Sequence, residues 1–128
     1  CLSRGLGDVY KRQLYINKEN IFSNFDELSN VWDKSTSLSL CLNIPIPDIE
    51  PVVTELLRKP LNDLVFSILS EIAEKDGLNE ELMRLIYNHG DKGCKVAIAL
   101  RNDLPADLKI LCEHHDDADI REHYMNKL

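Results

Sequence analysis

One set of apolar offsets recurs along this chain and limits what it can fold into. Leu78, Leu82, Leu85 and Ile86 stand at 0, +4, +7 and +8, and Leu104, Leu108, Leu111 and Cys112 repeat those offsets further on. Before them, Ile49, Val53, Leu56 and Leu57 show the same spacing. Such spacing lays one apolar stripe along an α-helix, because a 3.6-residue turn returns these positions to one face. Leu61, Leu64, Val65, Ile68, Leu69 and Ile72 form a second, broader stripe, with Pro60 before it and Gly77 after it, which predicts a helix over 61–75. A weaker copy is Leu28, Val31 and Trp32 behind the polar Asn24, followed by SLSLCLN of residues 37–43. The expected organisation is four helical pairs: 24–33 with 36–43, 48–58 with 61–75, 78–89 with 91–102, and 105–114 with 117–127.

Amphipathic helices produce such offsets in any bundle, so the order of parts decides between a bundle and repeats. The stretches 78–101 and 104–127 each run through an apolar start, an acidic first turn (Glu80 and Glu81; Asp107), an apolar triplet, a histidine (His89; His115), a Gly/Asp-rich turn and a second helix opened by Asp. Self-similarity at a fixed period marks units that bury their apolar faces only by stacking on neighbours. The fold class this predicts is all-α: about four stacked antiparallel helical pairs.

The segment Cys94 to Leu128 resembles a variant leucine-rich repeat, a family that alternates a VR-x-AVA-x-N segment with an LP-x-x-LL-x-x-L segment and a D-x-D-x-x-VR turn. Cys94-Lys95 and Ile120-Arg121 stand in the VR position, Ala97-Ile98-Ala99 in AVA, and Leu104-Pro105 with Leu108 and Leu111 in the second segment. The period is longer than that family's, Cys94 and Lys95 depart from its pair, and 61–75 is long for it, so HEAT-like stacking describes the chain equally well. Either resemblance implies a right-handed α-solenoid superhelix that serves as a surface for other molecules, and implies no reaction. Separately, Asp8 to Gln13 (DVYKRQ) resembles translated sequencing-adaptor sequence, so residues 1–13 are expected to be a non-native scar and 14–128 a single helical-repeat domain.

Charge narrows the partners. The scar carries Arg4, Lys11 and Arg12 against Asp8, so the net −7 of the whole chain becomes −9 over 14–128. A surface of that sign repels nucleic acid unless its cations cluster, and Arg58, Lys59, Lys92, Lys95 and Arg101 are scattered. The expected partner is a protein, one offering a basic patch. No apolar run of about 18 residues occurs, so no membrane span is expected. Cys41, Cys94 and Cys112 are widely spaced and odd in number, each on an apolar stripe, which predicts buried free thiols and a reducing, cytoplasmic setting.

The polar cluster Cys112, His114, His115, Asp116, Asp117, Asp119 and His123 contains zinc-type ligands, and His89 with Cys94 could add a pair from the preceding repeat. His89, Cys94, Cys112, His114 and His115 are therefore the metal candidates and would underlie a metal-dependent alternative. Their spacing is no recognised ligand signature, and a simpler role exists: Asp116 or Asp117 caps a helix starting near Ala118. HGDKGCK of 89–95 lacks the phosphate-loop pattern and reads as a turn. No Ser or Cys has a base and an orienting acid beside it in sequence, so no catalytic residue and no cofactor is assigned. Trp32, Tyr87 and Tyr124 are the aromatic candidates for partner contact. The functional expectation is a binding or scaffolding module without catalysis, or else the accessory arm of a larger protein.

Overall fold

The computed structural model describes residues 13–34 and 38–127. The adaptor-like segment lies outside the described residues except for Gln13, and so does Leu128. Among the described residues 66% are helical, in eight helices accompanied by one small parallel sheet. They fall into two compact units that divide between Pro60 and Leu61.

The first unit contains β1 (Gln13–Ile16), α1 (Lys18–Phe22), α2 (Phe25–Lys34), β2 (Ser39–Leu42) and α3 (Ile46–Arg58). β1 and β2 pair in parallel, Leu14 opposite Leu40 and Ile16 opposite Leu42, and the Asn43 N–H extends the ladder to the Ile16 carbonyl at 2.7 Å. Parallel strands need a long crossover, which α1 and α2 provide. Asn17 and Asn20 close α1 reciprocally, each side chain accepting from the other's backbone N–H at 2.9 and 2.8 Å. Ile21 of α1 is fully buried, and α1 packs on α3 through the stripe Ile49, Val52, Val53 and Leu56. Lys59 lays its ammonium 4.5 Å from the Phe25 ring centre.

This unit corrects the expected first pair. Within the expected helix 36–43, the described residues Ser39–Leu42 form a strand, because Ser–Leu alternation has the period of two that suits a pleat. Leu14 and Ile16 are buried beside the exposed Tyr15 by the same alternation, so a strand opens where no element was expected. Val31, placed on the apolar stripe by spacing, is exposed. Cys41 is disulfide-bonded, which corrects its reading as a free thiol; Cys94 and Cys112 are free and buried.

The second unit is helical throughout its described elements: α4 (Asp63–Ala73), α5 (Glu80–His89), α6 (Lys92–Ala99), α7 (Ala106–Glu113) and α8 (Ala118–Asn126). α4 begins later than Pro60 suggests. Leu61 is exposed, and Asn62 is the cap, its side chain accepting the Val65 N–H at 3.0 Å. α6 packs against α4 on one side and α8 on the other, while α5 pairs with α6 and α7 with α8. The core is Leu64, Ile68, Leu69 and Ile72 of α4 with Met83, Ile86 and Ile98, all fully buried. Gly77 takes φ 82° in the turn after α4, a conformation that glycine adopts without steric cost. Gly90 is needed for room instead: a Cβ there would lie 2.4 Å from the Cys94 Cβ and 2.6 Å from the Ile86 carbonyl oxygen. Among the described residues no helix is long and apolar enough to cross a membrane.

Candidate functional site

The seam between α5–α6 and α7–α8 gathers most of the polar side chains that the sequence singled out. Its construction starts with devices that each helical pair repeats. Asp91 caps α6 by accepting the Cys94 N–H at 3.0 Å, and Asp117 caps α8 by accepting the Asp119 N–H at 2.9 Å. Lys95 of α6 donates to the Tyr87 and Gly90 carbonyls at the end of α5, at 2.6 and 2.9 Å. Arg121 of α8 likewise donates to the His115 and Asp116 carbonyls beyond the end of α7, at 2.5 and 3.0 Å. Helix C-termini expose carbonyls with a negative dipole end, so a cation there answers both needs.

A third device joins successive pairs. Arg101, after α6, sends one guanidinium nitrogen to the Ala73 and Lys75 carbonyls at 2.7 and 2.8 Å. Lys127, after α8, donates to the Arg101 carbonyl in turn. Arg101 is itself held by a two-pronged bond to Asp103, both arms 2.8 Å, and its guanidinium keeps the Asp103 carboxyl below the usual carboxylate range. Lys127 rests its ammonium 5.0 Å from the Tyr124 ring centre, and burial lowers its pKa.

Ion pairs cross the seam in one sense: the earlier pair supplies the cation and the later one the acid. Arg84 of α5 reaches Asp107 of α7 at 2.9 and 3.2 Å, and a hydrogen bond from Arg84 lowers the Asp107 pKa. Lys92 of α6 meets Asp119 of α8 at 2.5 Å and Asp117 at 3.5 Å. The Asp117 pKa falls first because it accepts the Asp119 backbone N–H, then through Lys92.

Between these charges lies Tyr87, only 4% exposed, with Lys95 5.3 Å from its ring centre and His115 meeting it edge-on at 6.2 Å. Among the described residues its hydroxyl is buried without a hydrogen-bond partner. Burial, and secondarily the neighbouring Cys112, raises its pKa. Cys112 is fully buried in α7, and burial raises its pKa too. Cys94 faces the other way, its thiol donating to the Phe66 carbonyl of α4 at 3.3 Å, and burial pushes its pKa up to about 12.

The metal candidates therefore point in different directions. His89 and His114 are exposed at the ends of α5 and α7, Cys94 faces α4, and Cys112 lies in the core beside Tyr87. His115 is half-buried, and its Nδ1 accepts the Asp117 N–H at 2.9 Å. Among the described residues no three His, Cys, Asp or Glu side chains are grouped so as to hold a metal ion. Of the aromatic candidates, Tyr87 and Tyr124 (6% exposed) are packed inside and Trp32 is half-buried, so neither tyrosine offers its ring to a partner.

Sequence spacing did not single out the residues that organise the seam, although a signal existed. Asp91 and Asp117, Lys95 and Arg121, and Lys75, Arg101 and Lys127 all stand 26 apart. These charges recur at the same period as the apolar stripe of Leu78 and Leu104. One open cavity of about 420 Å³ lies against this edge, lined by Glu74, Asp76, Ala97, Leu100, Arg101 and Asp103. The chain matches no family profile, no curated protein and no solved structure.

Proposed function

We propose that this protein is a helical-repeat binding or scaffolding module whose α4–α8 pairs stack as a right-handed α-solenoid of variant leucine-rich-repeat or HEAT-like type, engaging a partner protein that offers a basic patch. One observation carries the reading: the cation after each second helix reaches back to carbonyls at the end of the second helix before it, Arg101 to Ala73 and Lys75, then Lys127 to Arg101. A contact that repeats in register is what nearest-neighbour stacking requires. Binding rather than turnover fits the polar residues of the seam, because caps, carbonyl ends and ion pairs already occupy them. The net charge of −7 favours a cationic partner surface and makes association weaken as salt rises.

The test has two arms. Residues 78–103 are duplicated in tandem, and unfolding is followed by circular dichroism in urea. A stack accommodates the added pair with one cooperative transition at a higher midpoint, whereas broken cooperativity overturns the repeat reading. Immobilised protein is then exposed to cell lysate at about 50 mM salt, where the Debye length exceeds about 10 Å, and retained proteins are identified by mass spectrometry. Specific retention of proteins bearing basic faces, lost at high salt, is expected; no retention under any condition overturns the binding reading.

A further inference from the structure

The repeat register relates the outer face of α7–α8 to the covered face of α5–α6. In α5–α6, three side chains meet α7–α8: Arg84 meets Asp107, Tyr87 meets His115 and Lys92 meets Asp119, while Ala99, two helical turns on from Lys92, is fully buried. One repeat on, the equivalent positions are Ile110, Glu113, Ala118 and Met125. Ile110 is 58% and Met125 49% exposed, large apolar side chains where the preceding pair has a paired arginine and a buried alanine.

The substitutions also reverse the charge. Both cations of the covered face have become apolar, Ile110 for Arg84 and Ala118 for Lys92. Carboxylates have entered at Glu113, in the place of Tyr87, and at Glu122, in the place of Val96. A helical pair with acids at the places of Asp107, Asp117 and Asp119 needs cations to receive them, as Arg84 and Lys92 do inside the unit. On this face they would meet Glu113 and Glu122 instead. Like charges facing each other across an interface suppress wrong partners.

We infer that the face formed by Ile110, Glu113, Ala118, Glu122 and Met125 docks a helix of a partner protein whose apolar stripe is flanked by lysines or arginines. The inference rests on the binding-module reading and gives that module its surface. The stripe of the incoming helix covers Ile110 and Met125, and its cations meet Glu113 and Glu122, the helix-in-groove mode of recognition with apolar anchors at i, i+3 or i+4, and i+7.

The probe is a labelled helix-length peptide of leucine and lysine in helical period, with a leucine and glutamate counterpart, titrated by fluorescence anisotropy against the whole chain. The lysine peptide is expected to bind and the glutamate peptide not. Ile110→Glu and Met125→Glu decide the matter, because each adds a negative charge. Diffuse attraction to an acidic protein would tighten with either change, whereas docking on this face weakens about tenfold or more. Glu113→Lys with Glu122→Lys weakens binding as well, while Leu61→Glu and Glu74→Lys, away from the face, leave it unaltered. Circular dichroism confirms that each variant is folded, as expected for exposed positions. Unchanged or tighter binding by Ile110→Glu overturns the inference, as does absence of peptide binding. Sedimentation showing a dimer that Ile110→Glu abolishes assigns the face to a second copy and overturns it also. Should the peptide result fail while lysate capture succeeds, the module reading stands and only the face is lost.

Discussion

The two compact units use the same apolar offsets to different ends. In α5 and α7 the +8 positions, Ile86 and Cys112, are fully buried, whereas the +7 positions, Leu85 and Leu111, are half-buried and exposed. In α3 of the first unit the phase is turned by one residue, with Leu56 at +7 fully buried and Leu57 at +8 half-buried. The first unit also has a strand, Ser39–Leu42, where a second helix of the pair was expected, and this period-two segment pairs with β1. Equal offsets therefore do not make equal repeats. What distinguishes the second unit is a second periodic signal, of caps and cations, in step with the apolar one.

That contrast can be broken most forcefully in the cores. Ile98→Ala in α6 and Ile49→Ala in α3 each remove a fully buried side chain and should cost about 2–5 kcal/mol in urea unfolding. In the second unit the loss should spread, lowering amide-exchange protection of α4, α6 and α8 together. In the first it should lower that of α1 and α3. Confinement of the Ile98→Ala effect to α6 would contradict coupling through stacked helices.

Gly90→Ala follows, at about 3 kcal/mol, because the added methyl meets the Ile86 carbonyl, which is backbone and cannot swing aside. Its cost is read from the same urea midpoint; a change under about 0.5 kcal/mol, the size of an ordinary surface substitution, would show that the α5–α6 turn opens freely. Arg101→Met removes the donor from two carbonyls and should cost about 2 kcal/mol, with Arg101→Lys recovering part of it. Were the reaching-back contact unimportant, Met and Lys would be equivalent in midpoint.

Alkali provides a finer probe. The Cys94 pKa is raised to about 12 in the folded chain, so the stability it contributes is whole below the free thiol range near about 8.5 and is lost as pH rises toward 12. Unfolding free energy should fall by about 1.4 kcal/mol per pH unit across that window for this thiol, and Cys94→Ala should flatten the slope. At the acid end the sign is opposite. Asp103 and Asp107 are lowered by their arginines, so their contribution is held above about pH 4 and lost below it. Tyr87→Phe should have the smallest effect, within about 1 kcal/mol and of either sign, since the hydroxyl it deletes has no partner among the described residues. A loss above about 2 kcal/mol would mean that the hydroxyl has a partner in solution, because the deletion would then leave that buried partner unsatisfied.

Much of the second unit was legible beforehand. The stripes at 61–75, 78–89 and 104–112 each became a helix, and Asp117 proved to be the cap chosen from the two aspartates on offer. Helix starts were less legible: Pro60 drew attention from Asn62, whose side chain makes the bond that begins α4. In the first unit the Ser–Leu alternation that ends in the strand Ser39–Leu42 has the period of a pleat, which the helical offsets around it obscure. β1 was missed because its partner is distant in sequence, Gln13 pairing with Ser39. The histidines and cysteines have metal-ligand chemistry, yet the seam is organised by Lys95, Arg101, Arg121 and Lys127.

By itself, then, the sequence determined that most of the described residues are helical and where most of those helices lie, and it placed the same apolar offsets at Leu78 and at Leu104. Periodicity and capping act within a turn or two of chain, and so they are written locally. The tertiary structure alone decided which side of each stripe is covered, that Cys94 turns toward α4 while Cys112 lies beside Tyr87, and that Ile110 and Met125 are left exposed. Such outcomes depend on what the neighbouring helix presents, and no local pattern encodes the neighbour.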